Sequence, residues 1–286
     1  MFITVYLQVQ ARIARPREKQ QNNMESRSNI RQHSRAIRSY YDDGERGDQV
    51  IIYVEPREVY DATSTLATAQ GSKVLFIQLP FHSPHFLNLS HELLRSIRDV
   101  RHLPCTWFFG SNRVFQGRYT IPQAKMLSLV SSMIAQLINF VPRRFNDPDM
   151  TLSQEVFSSL WLREPDSMGM AISIPIAINI IKALVNVIPH GILFFFEGCN
   201  DLMPTRQRPR DEICCHFANL LRFLARDDPA KLRKILWIES GPSTAFASMM
   251  SRARGAGDYT RFEYPHDWND GRRRNTTSIL TTQQSF

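Results

Sequence analysis

The chain has 286 residues, 43% of them hydrophobic and 22% charged, with a formal net charge of +8. That balance is ordinary for a globular protein and leaves room for one large α/β domain with tails, or for two small domains. No apolar stretch reaches the roughly 18 residues of a bilayer span, and residues 1–10 lack the basic start and small-residue cleavage site of a signal peptide. Glu18 and Glu25 argue against an organelle presequence. The cysteines Cys105, Cys199, Cys214 and Cys215 show no disulfide framework, so a reducing cytoplasm is the expected compartment.

In chain order, residues 1–49 form an N-terminal arm. Residues 11–48 are rich in Arg, Gln, Asn and Ser, and are expected to be poorly ordered or loosely helical. Order is expected to begin at residue 50, with a short strand over Val50–Val54 ended by Pro56. Further strands are predicted at Lys73–Gln78, Cys105–Phe109, Ile192–Glu197, Lys234–Glu239 and Thr260–Tyr264. The run Ile192-Leu193-Phe194-Phe195-Phe196 is uninterrupted by any polar residue, which predicts a strand covered on both faces.

Helical stripes alternate with these strands. Phe86, Leu89, Leu93 and Ile97 make one; Leu127, Val130, Ile134, Leu137 and Val141 make another behind Pro122, which suits a first helical turn. Thr151 and Gln154 resemble a capping box before Val156, Phe157 and Leu160. Ile174 to Ile188 make a fourth stripe, and Asp211 is placed to cap a fifth that runs to Leu224. Alternating strands and helices predict an α/β domain over residues 50–265, a mostly parallel central sheet with helices on both faces in three layers. Residues 266–286 return to a polar tail, expected to be disordered.

A carboxylate at the C-terminal end of a buried parallel strand lies where such sheets place ligands, and Glu197-Gly198-Cys199-Asn200-Asp201 supplies two. The plainer reading of Glu197 and Asp201 is a polar, solvated strand end. His82, His85 and His91 lack a convincing Cys or carboxylate partner for a metal. The basic residues are dispersed, with no long run apart from Arg272-Arg273-Arg274, so a nucleic-acid contact is not expected.

Four segments in order resemble one family. They are Trp107-Phe108-Phe109; the helix from Met126 to Ile138 with Leu127, Ser128, Leu129, Gln136 and Leu137; the acidic turn Glu197 to Asp201; and Ser240-Gly241-Pro242. Over residues 71–264 the chain is similar to the nucleotide-binding domain of NACHT-type signal-transduction NTPases of fungi, specifically the nephrocystin-3-like N-terminal domain. The resemblance implies a P-loop-NTPase-like fold. It also implies phosphate-loop positions at Ser83 and His85, a Mg²⁺-linked carboxylate at Glu197, a sensor position at Ser240 and a water-orienting acid at Asp201.

The departures from the family are chemical. Its phosphate loop reads like "GKPGSGKS", with backbone amides around the phosphates, a lysine against their charge and a hydroxyl on Mg²⁺. Here residues 79–86 read Leu-Pro-Phe-His-Ser-Pro-His-Phe, without glycine or lysine and with two prolines that remove donors. Gly241 stands where the family has an arginine. The resemblance thus implies a degenerate NTPase-like module acting through protein partners in the cytoplasm, with nucleotide binding weak or absent, no efficient hydrolysis and no cofactor expected. The alternatives are a Mg-ATP or Mg-GTP switch with an unconventional loop, and a basic nucleic-acid-binding protein.

Overall fold

The structure is a computed structural model. It describes residues 24–38, 57–71, 73–79, 86–100, 103–111, 119–147, 149–163, 170–189, 191–203, 211–226, 228, 231–241, 258–263 and 279–282. In chain order its strands are β1 (Met24–Ser26), β2 (Lys73–Leu79), β3 (Cys105–Phe109), β4 (Arg144–Asn146), β5 (Trp161–Arg163), β6 (Met170–Ile172), β7 (Ile192–Glu197), β8 (Arg233–Ser240), β9 (Asp258–Glu263) and β10 (Ile279–Thr282). The helices are α1 (Arg27–His33), α2 (Arg35–Arg38), α3 (Arg57–Thr68), α4 (Phe86–Arg95) with a π-helical turn at Ser96–Val100, α5 (Ile121–Leu137), α6 (Gln154–Ser159), α7 (Ile174–Val187) and α8 (Glu212–Ala225).

The central sheet runs β10-β9-β2-β8-β7-β3. Every neighbouring pair from β9 to β3 is parallel, and β10 joins β9 antiparallel. Period-two alternation sends side chains to opposite faces. Phe76, Phe108, Phe194, Phe196, Ile235 and Trp237 enter one core with α5, α7 and α8. Leu75, Ile77, Phe109, Phe195, Leu236 and Ile238 enter a second core with α3 and α4. The expected α/β architecture, a parallel sheet with helices on both faces, is therefore present. The apolar run of β7 is buried at every position because it is covered from both sides.

Two local expectations need correcting. The arm is not uniformly outside the fold: within residues 24–38, Ile30 and Ile37 are 0% and 1% exposed and join the core beside α5. Two isoleucines seven residues apart share a helical face, which sufficed against an otherwise polar composition. Likewise, residues 279–282 of the polar tail pair in register with β9. The strand expected at 50–54 lies outside the described residues, and the following helix α3 was not anticipated.

Helix termini follow local chemistry. Pro122 sits in the first turn of α5, as its position predicts, and Thr120 and Gln123 close a reciprocal capping box there. Asp211 accepts from the Ile213 and Cys214 amides, as expected of a cap. Before α6 the cap is Ser153, which accepts from Val156, rather than Thr151. At the edge strand β3, Gln136 of α5 accepts from the Trp107 amide at 2.8 Å and donates to the Trp107 carbonyl at 2.8 Å.

The strand order reverses within the sheet. From β2 the chain crosses beneath one face through α4 to β3, at the far edge. It returns over the other face to β7 and then β8, and finally passes to β9 on the far side of β2. The chain thus leaves the adjacent strands β2 and β8 in opposite directions, which creates a switch point at their carboxyl ends.

Candidate functional site

At the carboxyl edge of the sheet, side chains from β7, β8 and α5 converge. β7 ends in Glu197, which is 0% exposed, so it is not the solvated strand end that its position suggests. The next residue, Gly198, turns the chain with φ +64°. A Cβ there would meet the Ser111 hydroxyl at 2.3 Å, and one on Gly110 would meet the Gly198 carbonyl at 2.5 Å. These two glycines let the turns after β3 and β7 touch. The Gly110 amide then donates to the Glu197 carbonyl at 2.8 Å, and the Ser111 amide to the Glu197 carboxylate Oε2 at 3.1 Å.

Glu239, near the end of β8, is 5% exposed, and its Oε2 accepts from the Cys199 amide at 2.9 Å. The short 3₁₀ turn Asn200–Leu202 then carries Asp201 toward α5. There Lys125, 7% exposed, donates from Nζ to the Gly198 carbonyl at 2.8 Å and to Asp201 Oδ2 at 2.6 Å. One ammonium thereby serves a cluster containing three carboxyl groups.

Burial governs their ionisation. Loss of hydration pushes Glu197 up to about 7, although the Ser111 hydroxyl and amide, Lys125 and the Gly110 amide each hold it down. Burial and the neighbouring Glu197 charge push Glu239 up to about 8, against Lys125 and the Cys199 amide. The pair titrates across neutrality rather than in the ordinary carboxylate range. Between them Cys199 is a buried thiol, raised well above its usual range by desolvation and by Glu239, and therefore not a nucleophile at neutral pH. Glu197 Oε1 has no hydrogen-bond partner among the described residues.

The residues expected from sequence separate into groups. Glu197 and Asp201 belong to the cluster, and both contact regions served by Lys125. Ser240 ends β8, half-buried, in register with Leu79 of β2; Gly241, at φ +85°, donates its amide to the Leu79 carbonyl at 2.8 Å. Ser240 thus stands at the carboxyl end of β8, next to that of β2. Ser83 and His85 lie outside the described residues. Sequence reasoning missed Lys125, Glu239 and Ser111. Lys125 carried a legible signal, being the sole charged residue in the apolar helix Ile121–Leu137.

A hydrated Mg²⁺ ion needs carboxylate oxygens open to it and to its retained waters. Glu197 is fully shielded and Asp201 Oδ2 is held by Lys125, so these two carboxylates do not form an open pair for that ion. No group of three or more His, Cys, Asp or Glu suited to a metal occurs among the described residues. His91 instead stacks on Phe109, with ring centroids 4.3 Å apart. No described helix is long and apolar enough to cross a membrane. No family model matches the chain, and a search of curated proteins finds no similar one.

Proposed function

We propose that this chain is a pseudo-NTPase, a NACHT-like α/β domain that acts as a protein-interaction or signalling module in the cytoplasm without efficient hydrolysis. The observation that carries this reading is the position of Lys125. Its ammonium lies against Asp201 and the Gly198 carbonyl beside two buried glutamates, so the acidic edge has its own internal cation. An edge neutralised from within has little left to offer a metal-bound triphosphate. The proline-containing loop of residues 79–86, without glycine or lysine, supports the same reading from sequence.

Thermal unfolding with and without Mg-ATP and Mg-GTP tests it. A ligand at about a hundred times its Kd would stabilise the fold by roughly 2.7 kcal/mol. The expected result is no shift at millimolar nucleotide. A nucleotide-dependent shift that disappears in Glu197→Ala would replace this reading with that of a switch using an unconventional loop.

A further inference from the structure

Within residues 24–38 the fold gathers positive charge on one side. β1 pairs antiparallel with β4, matching Ser26 to Arg144, and this brings residue 143 beside the start of α1. The Arg27 amide donates to the Arg143 carbonyl at 3.2 Å. Arg27, Arg31 and Arg35 are spaced four apart along the nearly continuous α1–α2 segment, so they share one face and make a row about 12 Å long. Together with Arg143, Ser28 and Gln32 they line an open groove of about 690 Å³.

The chemistry of this groove is one-sided. Among the described residues its lining supplies four guanidinium groups, one hydroxyl and one amide, and no carboxylate. Among the described residues none of the four arginines has an acidic partner. Arg31, Arg35 and Arg143 are exposed, while Arg27 is half-buried and donates from Nε to the Val141 carbonyl. Arg31 donates from Nη2 to Asn139 Oδ1 at 3.1 Å. These two contacts orient two of the four guanidinium groups before any ligand arrives, which reduces the ordering cost of binding.

We infer that this groove binds the phosphate backbone of single-stranded nucleic acid, without reading its bases. Guanidinium forks match phosphate oxygens bidentately. A row of charges repeating along one direction suits a polymer with one charge per unit better than an isolated phosphate. Among the described residues the lining has no aromatic side chain on which bases could stack and no apolar side chain to hold a peptide, so it is the charged edge of the ligand that these residues hold. This site is independent of the acidic cluster and of the pseudo-NTPase reading.

The test is fluorescence anisotropy of the full chain with a labelled, short oligothymidylate strand. Four phosphate contacts at about 0.7 per contact predict roughly 50-fold weaker binding between 50 and 200 mM salt. The variant Arg31→Glu, Arg35→Glu, Arg143→Glu should lose at least about tenfold in affinity, with a salt slope reduced by about 2. A control with the same net charge, Arg95→Glu, Arg222→Glu, Arg226→Glu, should lose less than about twofold, because its substitutions lie elsewhere on the surface. Circular dichroism and thermal unfolding establish that both variants are folded. Equal losses in the two variants, or no binding by the unaltered protein at low salt, would overturn the proposal. Equal affinity for polyglutamate, tighter binding of duplex than of single strand, or full displacement by millimolar inorganic phosphate would also do so.

Discussion

Lys125 and Asp201, 76 residues apart in sequence, meet with Nζ and Oδ2 separated by 2.6 Å, the lysine side chain 9% exposed and the aspartate 54%. The asymmetry locates the energetics. Asp201 can be solvated without its partner, whereas Lys125, Glu197 and Glu239 cannot. The pair is thus the outer edge of a buried charge cluster rather than a surface ion pair.

Replacing Lys125 with Met should therefore cost more than replacing Asp201 with Asn. Removing one partner from a buried charge group typically costs about 3–5 kcal/mol; the half-exposed aspartate reduces the expected loss to about 2–3 kcal/mol at pH 8. Asp201→Asn should cost less than about 1 kcal/mol. Urea unfolding followed by tryptophan fluorescence measures both. A Lys125→Met protein as stable as the parent at pH 8 would show that the cluster does not depend on this ammonium.

The two glutamates make stability depend on pH in a definite direction. Their folded-state values, about 7 and about 8, lie above the ordinary 4.5. Between these limits the folded protein holds more protons than the unfolded chain, so their contribution is fully present below pH 4.5. It is lost as pH rises through 7 to 8. The slope reaches about 1.4 kcal/mol per pH unit for each group. The double variant Glu197→Gln, Glu239→Gln should gain on the parent steadily from pH 5 to pH 8.5. A flat difference between the two stability profiles would mean that these carboxyls do not titrate as described.

Gly110 and Gly71 offer a contrast in backbone space. A Cβ on Gly110 would press on the Gly198 and Glu197 carbonyls at 2.5 and 2.9 Å, whereas one on Gly71 meets nothing within 4 Å. Gly110→Ala should destabilise by at least about 2 kcal/mol, because backbone atoms cannot yield as a flexible side chain can. Gly71→Ala should fall within about 0.5 kcal/mol of the parent. Thermal unfolding of the two variants side by side decides this, and similar melting temperatures would contradict the close approach of the two turns.

Asp211 accepts two amides at the start of α8, at 2.9 and 3.3 Å. Asp211→Ala should cost about 1 kcal/mol, and Asp211→Ser should recover most of it. A serine variant no better than alanine would show that charge at this terminus, rather than the hydrogen bonds, is what matters.

What sequence could disclose here follows from range. The Phe-rich run of β7, the stripe of α7 and the cap at Asp211 each depend on neighbours within a few residues, and all three were legible. Glu197 could be placed at a strand end, but not its enclosure, because the atoms that shield it belong to Gly110, Ser111 and α5. Lys125 announced itself as a charge in an apolar helix, yet its partners stood 73 and 76 residues further on. The arm was misread for a related reason: Ile30 and Ile37 acquire their meaning only when α5 lies beside them.

The contact between Gln136 and Trp107 bears on how this protein meets copies of itself. β3 is an outer strand, and a bare outer strand invites another chain to add to it. By accepting from the Trp107 amide and donating to its carbonyl, the Gln136 side chain imitates the hydrogen bonds of a neighbouring strand at the middle of β3. On the opposite margin β10, running the other way, covers β9. The β3 margin is thereby closed from within by a single amide, whereas the other margin ends on β10, an edge strand only four residues long. Exchanging Gln136 for leucine would keep the bulk and reopen the margin, turning a finite sheet into a template for strand-on-strand aggregation.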